Sequence, residues 1–164
     1  MKQTFHIETN IKITVLDLNG NIKDIVEFPN LITTDGLNMV RDGLYGVGGA
    51  QDLEVKVLAV GDDNTAPVVG DSTLVNETWR KARTSQSKPA DGQTRYVQYV
   101  DPTEANFADI GRIEEIGWFA GDLVNAATPA GADTGIMISR VLYSRAKTAL
   151  ESLQIERVDT FVEG

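Results

Sequence analysis

LEVKVLAVGDDNTAPVVGDSTLVNETWRKAR, Leu53 to Arg83, joins a strand, a turn-rich loop and a charged edge, and the rest of the chain is organised around it. In its first third Leu53, Val55, Val57 and Ala59 fall on one face, while Glu54, Lys56, Leu58 and Val60 fall on the other. That period-two pattern predicts a strand with one face partly wet, ended by Gly61. Asp62, Asp63, Asn64, Pro67, Gly70 and Asp71 then supply turn chemistry, because Asx side chains bond nearby backbone groups and Gly and Pro interrupt a ladder. The stretch alone describes a β-rich surface and names no reaction.

Upstream, Ile11, Ile13 and Val15 alternate with polar residues before Asn19-Gly20-Asn21, and Ile22, Ile25, Val26 and Phe28 follow. This predicts a β-hairpin, with Asn-Gly providing the positive φ of a tight turn and Pro29 closing the second strand. Thr33 or Thr34 can cap a helix, Asp35 suits its positive end, and Gly46 stops it. Leu37, Val40 and Leu44 form the apolar stripe expected to lie on a sheet, because a helix of about three turns is not stable alone in water. Gly46-Val47-Gly48-Gly49 reads as a connector, since a phosphate-binding loop would precede a helix and carry Lys-Ser or Lys-Thr.

Downstream, Ser85 to Gly92 is a polar exposed connection, and RYVQYV (Arg95 to Val100) is aromatic and β-branched. IGRIEEIGWF (Ile110 to Phe119) breaks strict alternation, so a bulge is expected near Glu114 or at Gly117. Asn125 to Gly135 is a small-residue loop; Ile136 to Tyr143 and Ser152 to Val162 are the last strands, the second of which gives an ordered C-terminus. Seven to nine short strands and one helix predict a mainly β fold over residues 1–164 as one domain. The expected architecture is an antiparallel β-sandwich, or a partly open barrel, with one short α-helix packed on a sheet.

The composition narrows the chemistry. The 164 residues contain no cysteine and one histidine, His6, which removes disulfides, thiolate chemistry and His-pair metal motifs. A net charge of −9 and a pI near 4.5 oppose phosphate-backbone binding, so no nucleic-acid partner is expected. MKQTFHIETNIKITV lacks a basic region followed by an apolar core, and no apolar run reaches ~18 residues, so neither export nor membrane insertion is expected.

Among charged residues, Glu77 and Arg80 are expected to form a structural ion pair, locally or across the sheet with Arg140 and Glu115. Glu114 and Glu115 point to opposite faces of a strand and cannot converge on a sugar. Asp62, Asp63, Asn64 and Asp71 match no calcium-loop spacing and are read as turn residues, and Asn76-Glu77-Thr78 lacks the export context of a glycosylation site. His6 reads as a surface residue. No catalytic residue, metal or cofactor is expected, and the chain reads as nonenzymatic. Trp118 and Phe119 should divide between the two faces of their strand, and Tyr45, Trp79 and Trp118 are the candidate interface aromatics.

Five blocks in order carry a resemblance: Asn30-Leu31-Ile32-Thr33-Thr34-Asp35-Gly36-Leu37, Ala59-Val60-Gly61-Asp62, Leu74-Val75-Asn76-Glu77 with Arg80, Ile113 to Phe119 (IEEIGWF), and Ser139-Arg140. Together they resemble a broad group of tailed-phage virion proteins that includes tail-fibre amino-terminal domains, baseplate and collar proteins and related adaptors. Asp63 stands where the pattern has glycine and no long fibrous segment follows, which favours a short adaptor, collar or decoration role. The resemblance implies a structural protein of a tail, baseplate, collar or neck, made in the host cytoplasm and carried in the virion. It further implies docking to other virion proteins as a homo-oligomer. A capsid decoration protein, or a module whose exposed aromatics stack on a host surface glycan, is the alternative.

Overall fold

The computed structural model describes residues 5–46 and 52–163. In chain order the elements are β1 (Phe5–Asp17), β2 (Ile22–Pro29), β3 (Leu31–Ile32), α1 (Thr34–Tyr45), β4 (Val55–Gly61), β5 (Glu77–Ala82), β6 (Ser85–Ser87), β7 (Gln93–Val100), α2 (Phe107–Ile110), β8 (Ile113–Ala120), β9 (Ile136–Arg145) and β10 (Glu151–Glu163). The fold is mainly β, with two antiparallel five-stranded sheets ordered β2-β1-β10-β7-β6 and β3-β9-β8-β4-β5. Both sheets are open, as in a β-sandwich. The short β3 and β6 take the strand count above the expected range, and α2 is a single turn of four residues.

The long spine of the first sheet is β1 against β10, in register from Phe5 opposite Glu163 to Asp17 opposite Glu151. Alternation along β1 sends Ile11, Ile13 and Val15 inward to meet Leu58, Val60, Ile116 and Trp118 of the second sheet. The β1–β2 hairpin turns where Asn19-Gly20 predicts. Gly20 has φ +82°, its N–H reaches the Asp17 carbonyl at 3.0 Å, and the Asp17 carboxylate accepts the Asn19 and Asn21 N–H groups at 2.8 Å.

The central strand departs from its reading as half wet. Leu58 and Val60 face the inter-sheet core, but Val57 and Ala59 are equally buried, with Leu74, Phe119 and Met137, in a second core on the outer face of the sheet. The connection that contains Leu74 and the one that contains Val124 and Ala126 cover that face, and such cover has no local signature in the strand. The expected irregularity in β8 appears as register shifts at Ile113/Glu115 and Trp118/Phe119. Trp118 enters the inter-sheet core and Phe119 the outer core, and both are fully buried.

Helix α1 starts and stops where its caps predict. The Thr33 hydroxyl accepts the Gly36 N–H at 3.0 Å and donates to the Met137 carbonyl at 2.5 Å, and Gly46 at φ +72° closes the other end. Its buried residues, however, are Gly36 and Met39, whereas Leu37 is 53% and Leu44 78% exposed. The helix rests on the sheet by its glycine side. A Cβ at Gly36 would stand 2.7 Å from the Ile138 carbonyl oxygen, and one at Gly43 would stand 2.8 Å from Leu53. Of the expected stripe, Leu37 and Leu44 are therefore turned to the surface while Val40 stays half-buried at the flank of the helix, because close backbone approach decides the packing face. The Gly46 to Gly49 connector lies, after Gly46, outside the described residues.

Candidate functional site

The charged residues picked out in the sequence sit on the outer face of the second sheet, in two separate networks. Arg80 of β5 grips Glu77 through both carboxylate oxygens, Nε to Oε1 at 2.5 Å and Nη2 to Oε2 at 2.7 Å, with both side chains almost wholly buried. Its Nη1 donates to the Asn125 and Thr134 carbonyls at 2.8 and 3.1 Å, and its guanidinium lies 4.7 Å from the centre of the Phe119 ring. Thr128 finishes the contact by accepting the Arg80 N–H at 2.7 Å and donating to the Arg80 carbonyl at 2.9 Å, which covers the outer edge of β5.

Arg140 of β9 does not join Glu77. It donates Nε to Glu115 at 2.7 Å, Nη1 to Asp71 at 2.7 Å and Nη2 to the Thr65 carbonyl at 2.9 Å. Fully buried Glu115 also accepts the Val75 and Asn76 N–H groups at 3.2 and 3.0 Å. Burial pushes the Asp71 carboxyl up, but the Val68 N–H and the Arg140 guanidinium outweigh it and hold the group below the usual range. The expected trio of Glu77, Arg80 and Arg140 thus resolves into one arginine that ties down residues 121–135 and another that ties down residues 62–76. Asp71, read as a turn residue, is a direct partner of Arg140.

The remaining polar candidates are engaged locally. Asp62 accepts from the Asn76 side chain at 2.6 Å, and Asp63 accepts the Thr65 N–H at 2.7 Å. Among the described residues no group of three or more His, Asp or Glu side chains is placed to hold a metal ion. Glu114 lies 3.5 Å from Arg112, away from buried Glu115, and His6 lies 3.2 Å from Glu8 at the surface. Lys147, unremarked in the sequence, is fully buried with Nζ bonded to the Glu104 carbonyl at 2.8 Å and to Asn106 Oδ1 at 3.1 Å. Burial pushes its pKa down, and its contacts fasten the chain just before α2.

The interface aromatics separate sharply. Trp118 is wholly buried and cannot meet a partner, and Trp79 is half-buried against the inter-sheet core. Tyr45 is 83% exposed at the end of α1, beside Leu37 and Leu44. These side chains, with Ile7, Val40 and the rims of His6 and Arg41, line an apolar surface groove. No family profile, curated protein or solved structure matches this chain. The groove was missed in the sequence because its leucines were assigned to the core. The glycines at positions 36 and 43, two turns apart on one side of the helix, are the signal that could have reversed that assignment.

Proposed function

We propose that this chain is a nonenzymatic structural protein of a tailed-phage particle, a tail, baseplate, collar or neck adaptor that works in several copies by docking to other virion proteins. The observation that carries the proposal is the outward apolar side of α1, where Leu37, Leu44 and Tyr45 stand exposed on a firmly braced sandwich. Contiguous apolar surface of this kind favours protein contact, and aromatic residues are enriched at interface cores. The ordered blocks from Asn30 to Arg140 support the virion assignment. Within them Glu77, Arg80, Glu115 and Arg140 are all committed to fastening loops, which leaves them no acid–base work. A net charge of −9 favours a partner with a basic docking surface.

The test is assembly. A chain carrying Leu37→Asp and Tyr45→Asp should melt like the parent but fail to enter particles or to capture a virion protein. Normal incorporation of that chain would reject α1 as the docking face.

A further inference from the structure

The outer edge of a sheet is a row of unpaired N–H and C=O groups, and three of the four terminal strands here are blunted. β3 and β6 are two and three residues long, and Thr128 bonds the outer edge of β5. β2 also ends its sheet, but it runs for eight residues, and no described residue outside β1 bonds its backbone.

The ladder with β1 fixes which groups of β2 are free. Facing residues of an antiparallel pair alternate between exchanging two hydrogen bonds and exchanging none. The Asn30 N–H bonds the Thr9 carbonyl at 3.1 Å, so the bonded pairs that follow are Phe28 with Ile11 and Val26 with Ile13. The N–H and C=O of Ile25 and Glu27 therefore point out of the sheet. Pro29, which has no N–H to offer, stands where the open edge stops.

The side chains along this edge are symmetric about Ile25, which is 46% exposed, with Lys23 two residues before it and Glu27 two residues after. Lys23 reaches Glu151 at 2.8 Å and Glu27 lies 3.7 Å from Lys12, yet both side chains stay about half exposed. Charges on an edge strand ordinarily keep chains apart. These two are opposite in sign, so an antiparallel copy of the same edge meets its complement.

We propose that the β2 edge pairs with the β2 edge of a second copy of this chain, antiparallel and centred on Ile25, joining two five-stranded sheets into one of ten. Ile25 exchanges both backbone hydrogen bonds with Ile25 of the second copy, and Lys23 of each chain stands opposite Glu27 of the other. A two-fold axis through Ile25 makes the contact closed, so it stops at a dimer. Ile25 lies opposite Thr14, roughly 23 Å along β1 from Ile7 in the α1 groove, so the two surfaces are separate. The pairing stands whether or not α1 docks to another protein.

The test is sedimentation of the full chain over a range of concentrations, with a dimer that dissociates on dilution expected. Ile25→Lys places like charges directly opposite each other at a half-exposed position and should give a folded monomer. Ile25→Pro removes only the outward N–H and should do the same without touching the β1 ladder. The register has its own readout, because the chain has no cysteine. In the paired edges Ile25→Cys brings two Cα atoms to about 5.5 Å, within disulfide reach, whereas Glu27→Cys leaves its thiols about 14 Å apart. Copper-phenanthroline oxidation should therefore crosslink the first variant into dimers and leave the second uncrosslinked. A parent that stays monomeric at every concentration, an Ile25→Lys chain that dimerises like the parent, or equal crosslinking of the two cysteine variants would overturn the proposal.

Discussion

Arg140→Met is the sharpest probe of how the outer loops are held. The substitution keeps an unbranched apolar stem but removes the guanidinium that contacts Glu115, Asp71 and the Thr65 carbonyl. Glu115 is then a fully buried carboxylate with the Val75 and Asn76 N–H groups as its remaining donors. Breaking a buried pair from one side costs about 3–5 kcal/mol, and the two surviving backbone donors place this site near ~3. For a chain of this size that lowers Tm by about 6–12 °C. Thermal and urea unfolding of Arg140→Met, Glu115→Gln and the double variant form a cycle. The double variant should lose clearly less than the sum of the singles, because the Gln amide no longer strands a charge. Hydrogen exchange should show residues 62–76 opening in Arg140→Met, beginning with the Val68 amide bonded to Asp71. A single variant that melts like the parent, or strictly additive losses, would refute the reasoning.

The other predictions concern the helix face and acid stability. Gly36→Ala should destabilise by about 1–3 kcal/mol, because its Cβ would press on the Ile138 carbonyl, while Leu37→Ala should stay within about 0.5 kcal/mol; calorimetry of both separates the two packing faces. Arg145 and Lys23 hold the buried Glu151 carboxyl at about 2, against 4.5 in the unfolded chain. That contribution, up to ~3 kcal/mol, is complete above the unfolded pKa and is lost as pH falls through the folded one. Urea midpoints measured down this acid range should therefore fall steeply in the parent and more gently in Glu151→Gln, and equal slopes would remove Glu151 as a source of acid lability.

What could be read in the sequence was what neighbours along the chain decide. The hairpin at Asn19-Gly20, the caps at Thr33 and Gly46 and the irregularity after Ile113 depend on residues within a few positions of one another. The packing side of α1 was hidden because glycine carries no apolar signal, yet Gly36 makes the closest approach to β9. The dry outer face of β4 was hidden because its cover comes from Leu74 and from Val124 and Ala126, which lie in other parts of the chain. Glu77 with Arg80 was legible from a spacing of three, whereas Arg140 with Asp71 spans 69 positions and depends on how the loop folds back.

The central proposal is membership of the virion, and quantitative mass spectrometry of washed phage particles tests it most directly. The expected result is the intact chain at a fixed multiple-copy ratio to the other structural proteins, lost from particles when Leu37 and Tyr45 are both replaced by aspartate. A chain abundant in infected cells and absent from washed particles would contradict it.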